Sequence, residues 1–425
     1  MVEGSKCMRK DLIVWSVSVL VGTVSLLVSC RGMGAAGMES GGGMSGKTVA
    51  VNAGQHERNW CPVEVEVDAS LEGLRVLSLV DEATGVTIPA QITGWEGKYV
   101  LSFVIPHMGQ GERTTYRLAE KKAGAEGVTL TKKDEAAIDV AVAGQLVTTY
   151  HFSSEYKKPF MYPVLGSDGA RMTRGWPMED IAGEPQDHPH QKSFWVAHGD
   201  VNGTDFWGEG RGSGTQRTDE IVTVLSGDAC GAIRARNSWV DGNGKKLLSE
   251  ERLYVFYNTP AELRIIDLGV TFTATEGEVV FGDTKEGGLA AFRVNPVINA
   301  DRHGEIRNSL GAIGERETWG KRASWCDYSG PIDGKRRGIT VLDNPMNPRY
   351  PTCWHVRGYG LMGANCFGYS HFKSTYEQRG DFTLPAGESV TFRYRIIIHD
   401  GDALTANVAG RYADYIVPPS AKVSP

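Results

Sequence analysis

The sequence predicts an all-β protein: a large antiparallel β-sandwich domain with a smaller β unit on its N-terminal side. Two observations predict this class. Short stretches of alternating apolar and polar residues recur along the chain, with turns rich in Gly, Asn and Asp between them. A helical period of 3.6 residues persists no further than about two turns, except near residues 403–415.

A lipoprotein signal peptide is predicted over residues 1–29. Lys6, Arg9 and Lys10 precede an apolar run over residues 12–28, which is shorter than the roughly 20 residues that a membrane-spanning helix needs. The run ends in Leu-Val-Ser-Cys at residues 27–30, which resembles the lipobox of bacterial lipoproteins. That resemblance implies that Cys30 is lipidated and becomes the mature N-terminus. The alternative is an uncleaved anchor helix.

A Gly-rich tether over residues 30–48 follows the signal, because such a composition cannot bury a core. Arg31 stands where an aspartate would signal retention in the inner membrane. The expectation is therefore an exported protein, lipid-anchored and facing the periplasm or the cell surface, with the outer membrane favoured.

The N-terminal β unit is predicted over residues 49–120 and the main β-sandwich domain over residues 135–418. In the first unit, strand-like alternation covers residues 62–68, 74–81, 87–95 and 98–106, with turn residues between these stretches. The same pattern continues through the second unit. There, Asp-Gly-Asn-Gly at residues 241–244 predicts a hairpin turn.

Composition excludes several classes of protein. The net charge is -6 and no basic stripe is present, so nucleic acid is not an expected partner. Cys61, Cys230, Cys326, Cys353 and Cys366 follow Cys30 without any CxxC spacing. A disulfide between Cys353 and Cys366 and buried reduced thiols are both open.

Three irregular segments carry most of the chemically reactive residues: 161–207, 315–330 and 343–367. They are dense in His, Trp, Asn, Arg and Gly. Long loops of this kind on a rigid β scaffold are where binding and catalysis concentrate.

These segments resemble the PmoA-like domain family of bacterial proteins, whose function is unknown. The motifs are His188-Pro189-His190, Trp195, His198-Gly199, Val201-Asn202-Gly203, Asp205-Phe206-Trp207, Trp319-Gly320, Trp325, Asp327-Tyr328-Ser329-Gly330, Asn344-Pro345-Met346-Asn347, Trp354, Arg357, Tyr359-Gly360 and Ala364-Asn365. Gln191 departs from the pattern, where a second histidine or another basic residue is expected. The methane oxygenase label of this family is misleading here, because such subunits cross the membrane many times and this chain has one long apolar run. By fold analogy the scaffold is expected to resemble the sandwich of sugar mutarotases.

Histidines supply the candidate catalytic groups. In extended backbone, His188 and His190 would point to one face, as would His198 and Asp200. Two imidazoles on one face can act as acid and base near neutral pH, or His188 and His190 can bind a divalent metal. The structural alternative is that Pro189 builds a turn and the histidines bond backbone groups.

Arg357 is the fifth candidate catalytic residue, because its fork of donors can clamp a carboxylate or a pair of hydroxyls. His355 would share its face, two residues earlier. The candidate substrate-binding residues are indoles that can stack on a sugar ring and polar groups that can pair with hydroxyls: Trp195, Asn202, Trp207, Trp325, His355 and Asn365.

The residues leave two functions open. The first is an enzyme that acts on a carbohydrate by His/Asp acid–base or metal-assisted chemistry, with hydrolase, lyase and epimerase types unresolved. The second is a non-catalytic carbohydrate-binding surface lipoprotein. Clustered titratable residues favour the enzyme. Its partner would be a carbohydrate or another small polar ligand, and a divalent metal is the one cofactor considered.

Overall fold

A computed structural model describes residues 46–71, 77–95, 98–120, 127–372 and 379–424. The signal peptide, Cys30 and most of the tether lie outside these residues. The strands are β1 (Thr48–Asn52), β2 (Arg58–Val67), β3 (Leu77–Asp81), β4 (Thr87–Trp95), β5 (Lys98–Met108), β6 (Arg113–Glu120), β7 (Val128–Asp134), β8 (Ala137–Val142), β9 (Gln145–His151), β10 (Phe160–Val164), β11 (Phe194–His198), β12 (Thr215–Leu225), β13 (Cys230–Val240), β14 (Lys246–Tyr257), β15 (Leu263–Thr273), β16 (Val279–Phe281), β17 (Gly287–Arg293), β18 (Glu305–Asn308), β19 (Trp325–Ile332), β20 (Lys335–Asp343), β21 (Cys353–Val356), β22 (Leu361–Asn365), β23 (Phe382–Leu384), β24 (Ser389–Asp400) and β25 (Ser420–Val423). The helices are α1 (Glu315–Thr318), α2 (Tyr369–Phe372) and α3 (Val408–Ile416).

The strands form three large antiparallel sheets, which confirms the all-β prediction. One has seven strands in the order β2-β5-β4-β3-β6-β1-β25. The second, the site sheet, has the order β21-β22-β17-β11-β10-β9-β8-β7, and the third, the back sheet, has the order β12-β13-β14-β15-β24-β20-β19-β18. β16 and β23 form a two-stranded sheet. The hairpin expected at residues 241–244 is present, because Val240 at the end of β13 pairs with Lys246 at the start of β14.

The site sheet and the back sheet pack face to face as a sandwich. Phe194 and Phe292 of the site sheet share one buried cluster with Tyr254 and Ile396 of the back sheet. Side chains alternate between the two faces of a strand, so each second residue of the site sheet faces away from this core.

The seven-stranded sheet has a separate apolar cluster built from β1 to β6, with Ala421 and Val423 of β25 packed against it. The C-terminal segment therefore completes a sheet that the N-terminal strands begin. Helix α3 lies in the stretch where helical periodicity was expected. A buried ion pair joins it to β2, with Arg58 Nη1 2.9 Å from Asp414 Oδ1.

All five cysteines of the described ranges are buried and carry reduced thiols: Cys61, Cys230, Cys326, Cys353 and Cys366. Burial raises the pKa of Cys61 and of Cys230 to about 12. Such thiols are inert at neutral pH. Of the two alternatives, the structure has the buried thiols, and no disulfide joins Cys353 to Cys366.

Candidate active site on the outer face of the site sheet

The candidate site lies on the face of the site sheet that is turned away from the sandwich core. In β11, Phe194 and Val196 belong to the sandwich core, whereas Trp195 and Ala197 belong to a separate cluster on the outer face. In β21, Trp354 and Val356 face the core, so His355 between them faces outward. The outer face thus collects residues from strands that are far apart in sequence.

Arg174 organises the loop that carries His188 and His190. Its buried guanidinium donates to the Asp187 carboxylate at 2.5 Å and to backbone oxygens of residues 176, 185, 188 and 191. Arg293, at the end of β17, donates to the same Asp187 oxygen at 2.8 Å and also to Gln191 Oε1. Gln191, the departure from the family pattern, is therefore a buried acceptor that joins the loop to the sheet.

His188 and His190 lie side by side in a turn. Their ring centroids are 5.7 Å apart. The extended backbone expected here is wrong, because His188 has a φ of 43° and its carbonyl accepts a hydrogen bond from the backbone N–H of Gln191. The turn around Pro189 therefore brings the two histidine rings together. His188 Nδ1 also lies 3.3 Å from Asp187 Oδ2.

Aromatic contacts bring this loop to the segment at residues 354–360. The His188 ring stacks on the Tyr359 ring at 5.2 Å with an interplanar angle of 12°. Trp207 lies 6.2 Å from the His190 ring and 6.1 Å from the His355 ring. More than 150 residues separate the two segments along the chain, and the fold places them together.

Burial keeps two of these histidines neutral. Burial, together with the positive charges of Lys158 and Lys192 and against the Glu209 carboxylate, lowers the pKa of His190 to about 4. It likewise lowers the pKa of His355 to about 3, with Lys285 and Arg357 acting in the same direction. Both imidazoles are thus unprotonated at neutral pH.

A lysine–glutamate–lysine cluster adjoins His190. The Lys158 side chain is fully buried, and its Nζ donates to Glu209 Oε1 at 2.8 Å and to the Trp207 carbonyl at 3.0 Å. Lys192 pairs with the other oxygen of the same carboxylate. Burial lowers the pKa of Lys158 to about 8. Although burial raises the pKa of Glu209, the two lysines lower it more, so this carboxylate is ionised.

Arg357 lies at the rim of the site. Its Nε is 3.0 Å from Glu315 Oε1 in a partly exposed ion pair, yet this N–H has no hydrogen-bond partner of acceptable geometry. Glu315 Oε2 accepts a hydrogen bond of 2.6 Å from the backbone N–H of Gly358. Arg357 is also 5.9 Å from the centroid of the Tyr359 ring. Arg357 and Glu315 therefore hold in place the loop that carries Tyr359.

Trp195 and Trp207 support the site from below its surface. Their centroids are 5.4 Å apart, and the side chains are 0% and 2% exposed. The prediction that a sugar stacks on these indoles is wrong for this conformation, because neither ring is open to a ligand. Tyr359 and His188 are the partly exposed rings that can contact one.

His198 and Asn365 are not part of this site. His198 follows Trp195 by three positions in β11, so it faces the sandwich core, where Phe367 lies 4.8 Å from its ring. Its Nε2 donates to the Gly282 carbonyl at 2.9 Å, and burial lowers its pKa to about 4. Asn365 Nδ2 donates to the carbonyls of Thr284 and Lys285. Both side chains hold backbone in place.

Asp200, Asn202 and Trp325 also lie outside this site. Asp200 Oδ1 accepts from the backbone N–H of Gly203 in a tight turn. Asn202, with a φ of 51°, pairs with backbone groups of residues 278 and 280 beside β16. Trp325 belongs to a third buried cluster with Leu342 and Ile397 of the back sheet. These positions have structural roles that the sequence did not distinguish from binding.

The site is a partly exposed cluster of side chains on the outer face of the sheet. Side chains at its rim are about two-fifths exposed, with 41% for His188 and 42% for Asp187. Two cavities of about 250 and 380 Å³ lie elsewhere, and both are lined in part by Trp60 and Pro260. Within the described ranges, no group of three or more His, Cys, Asp or Glu side chains is arranged to hold a metal ion.

Sequence reasoning missed five charged residues of the site: Lys158, Arg174, Lys192, Glu209 and Arg293. Most of them flank the motifs rather than lie within them, and isolated charges on a β protein are usually solvated. The signal that could have found them was the density of Lys, Arg, Asp and Glu next to the irregular segment at 161–207.

The family described as a family of unknown function, DUF6807, matches residues 137–414, which is more than half of the chain. The chain belongs to this family. The match covers the back sheet, the site sheet except β7, and every residue of the site, and it does not carry the PmoA-like label. No curated protein matches the chain.

Two solved structures show a distant similarity to this DUF6807 member. A protein in glycosyl hydrolase family 38 from Enterococcus faecalis has 9% identity and a TM-score of 0.42, covering 89% of this chain and 47% of that one. The chain thus spans about half the length of that protein. A galactose mutarotase related enzyme from Lactobacillus acidophilus has 9% identity and a TM-score of 0.24, covering 64% of this chain and 97% of that one. At these scores the similarity establishes no shared activity.

Proposed function

We propose that this protein is an enzyme that acts on a carbohydrate by acid–base chemistry at the outer face of the site sheet. The observation that carries the proposal is the convergence of His188, His190 and His355 around Tyr359 and Trp207, with His188 exposed and His355 buried. A binder of polar ligands has little use for three neighbouring imidazoles, whereas proton transfer needs unprotonated groups that can accept a proton.

The roles follow from the surroundings of each group. His190, held neutral by burial and by the nearby lysines, accepts a proton from a hydroxyl or an activated C–H of the sugar. His188, with the Asp187 carboxylate 3.3 Å from its Nδ1, is oriented to return a proton from a neighbouring position. Tyr359 offers a partly exposed ring to the sugar, although the His188 ring stacks on it and the Arg293 guanidinium carbon lies 4.5 Å from its centroid.

A non-catalytic carbohydrate-binding protein is the second candidate. It is favoured by the state of the two carboxylates nearest the histidines. Asp187 is held by Arg174 and Arg293, and Glu209 by Lys158 and Lys192. Neither carboxylate is therefore available as a nucleophile or as a proton donor, which excludes the two-carboxylate mechanism of glycosidases at this site.

Activity assays on matched variants test the proposal. Purified protein is screened against mono- and oligosaccharides for hydrolysis, elimination, epimerisation and anomeric exchange. His190→Gln should lower the rate by about 10² to 10⁴, as expected for loss of a general acid or base, and its melting temperature should change little. His107→Gln, at an exposed histidine on the seven-stranded sheet, is the control and should keep full rate. Binding without turnover, unaffected by His190→Gln, would establish the second candidate instead.

We also propose that the protein is an exported lipoprotein anchored through Cys30, most consistent with the outer membrane. The support is the sequence of residues 6–31, which lies outside the described residues. No helix within the described ranges is long and apolar enough to cross a membrane. An anchored enzyme of this kind would meet its carbohydrate in the periplasm or at the cell surface.

A further inference from the structure

A groove lies between the seven-stranded sheet and the back sheet, and Trp60 forms part of its wall. It consists of the two cavities of about 250 and 380 Å³, which share Trp60 and Pro260 as lining residues. Val104 comes from β5, Asn258 from the turn after β14, and Thr405 from the segment before α3. Taken together, the cavities fall within the roughly 300–1,000 Å³ that is typical of small-ligand sites. We call them the Trp60 groove.

The Trp60 groove and the candidate active site lie on opposite faces of the sandwich. Ile396 and Ile398 of β24 face the sandwich core, whereas Ile397 between them belongs to the cluster on which Trp60 packs. Because neighbouring residues of a strand point to opposite faces, that cluster covers the outer face of the back sheet. His190 lies on the outer face of the site sheet, so both layers of the sandwich separate it from the groove.

The backbone of Trp60 has a conformation that a tryptophan rarely adopts. Its φ is 51°, in the left-handed region, where a bulky side chain is an outlier. The ladder between β2 and β5 pairs Asn59 and Cys61 but passes over Trp60 between them. Arg411 Nη1 of α3 donates to the Asn59 carbonyl at 3.1 Å, which holds the strand at this point. Residues in such conformations cluster at sites that clamp a ligand, and here the partly buried indole lines the groove.

The walls of the groove combine apolar and hydrogen-bonding surfaces. Beside Trp60, one cavity is lined mainly by proline, valine, isoleucine and alanine side chains. The other cavity adds polar groups, among them Glu262, Asp400 and Thr405. A sugar presents C–H groups on the faces of its ring and hydroxyls at its edge. An indole with neighbouring polar side chains can therefore contact both parts of a sugar.

The charges of the groove favour an uncharged ligand. Its charged lining residues are Asp228, Glu262, Asp400 and Arg411. Arg337 Nε lies 3.6 Å from Asp400 Oδ1, and the Asp414 carboxylate acts on Arg411. The groove thus has no excess of positive charge among its described lining residues. The exposed Glu262 carboxylate can accept hydrogen bonds from the hydroxyls of a neutral ligand.

We propose that the Trp60 groove is a second, non-catalytic binding site for a neutral oligosaccharide, with one sugar ring stacked on the Trp60 indole. This site rests on the carbohydrate function proposed above and adds to it a place that holds the polymer. Two sites on one protein raise the affinity for a chain long enough to reach both, without any new contact.

Hydrogen exchange measures binding at the groove separately from binding at the candidate active site. Purified protein is titrated with neutral oligosaccharides of two to six glucose, galactose, mannose or xylose units. A bound ligand should slow exchange of the backbone N–H groups of residues 258–263 and 401–407, which border the groove. The ligand concentration that gives half of the full protection is the Kd of the groove.

Variants of Trp60 test the role of the indole. Glycine adopts a positive φ without strain, so Trp60→Gly removes the indole and retains the backbone conformation. It should weaken binding at the groove at least about ten-fold. Trp60→Phe keeps an aromatic ring and should restore part of the affinity. Leu310→Ala, at a side chain that is 76% exposed in the turn after β18, is the control and should bind as the wild type does. Melting temperatures verify that each variant is folded.

The outcomes separate this proposal from the proposed function. Equal affinity of the wild type and Trp60→Gly would overturn the groove assignment and leave the carbohydrate function standing. The same holds if a carbohydrate is turned over at His190 and no neutral oligosaccharide protects the groove. Protection that depends on Trp60, without turnover of any carbohydrate, would retain the groove and favour the non-catalytic candidate. A dimer that Trp60→Gly abolishes, with no sugar bound, would make the groove an interface between copies and overturn its assignment to sugars. Absence of both binding and turnover would overturn both proposals.

Discussion

His198 provides a stability test that needs no substrate. Its ring is fully buried against Phe281 and Phe367, and its Nε2 donates to the Gly282 carbonyl. Because burial disfavours the charged imidazolium, it lowers the pKa of His198 from 6.5 to about 4, against the opposing effects of the hydrogen bond to Gly282 and the charges of Asp205 and Asp283. In the unfolded chain the same imidazole takes up a proton as the pH falls below 6.5.

The size of the effect follows from this difference in pKa. Between pH 6.5 and pH 4 the unfolded state binds more protons than the native state, so stability is lost as the pH falls through that window. A shift from 6.5 to about 4 corresponds to about 3 kcal/mol over the whole window, of which about 2 kcal/mol is lost between pH 7 and pH 5. A glutamine at position 198 can still donate to Gly282 and does not titrate.

Urea unfolding of the wild type and His198→Gln at pH 7 and pH 5 measures this effect. Between the two pH values, the free energy of unfolding of the wild type should fall by about 2 kcal/mol more than that of the variant. This difference does not depend on how much the substitution destabilises the protein at pH 7. The buried Asp343 also titrates in this range, because burial raises its pKa to about 6. Both proteins contain Asp343, so its contribution cancels when their pH dependences are compared. His107→Gln is the exposed control and should follow the wild type. An equal loss in wild type and His198→Gln would refute the idea that burial holds this ring neutral.

Three further predictions concern the anchor, the loop and the base. Cys30→Ala should leave unprocessed precursor or release the protein from the membrane fraction, and a variant that fractionates and migrates like wild type would contradict lipidation. Arg174→Met should lower the free energy of unfolding, measured in urea, by about 3–5 kcal/mol, because it leaves the Asp187 carboxylate and backbone carbonyls of the loop with fewer donors. Limited proteolysis of this variant should then cut within residues 175–191. A loss below about 1 kcal/mol would contradict this role. Once a substrate is found, protonation of His190 should not lower kcat/KM down to about pH 5. Towards pH 4 kcat/KM should fall, because that imidazole becomes protonated. A fall centred near pH 6.5 would show that His190 is not the base.

Local patterns in the sequence were sufficient for the fold class and many of its strands. The alternation expected at residues 62–68, 87–95 and 98–106 corresponds to β2, β4 and β5, and the stretch near residues 403–415 overlaps α3. These features depend on neighbours within a few positions, since a strand repeats every two residues and a helix every 3.6. The bridging role of Gln191 could not be predicted in this way, because Arg293 lies about 100 residues further along the chain.

The same strand period would have excluded one site residue. Trp195 and His198 are three positions apart in β11, so they face opposite sides of the sheet and could not both belong to one site. Which of the two faces the sandwich core is set by packing against β14 and β24, and no local pattern contains that information.

The sequence by itself determined the β class, the hairpin at residues 241–244 and the segments that hold the candidate site. Only the tertiary structure decided that His190 and His355 meet around Trp207, and that pairs of cations share Asp187 and Glu209. The physical reason is that β pairing and buried electrostatics connect residues distant in sequence. The charge state and neighbours of each side chain are therefore set by the complete fold, whereas the tendency to form a strand is set by the residues next to it.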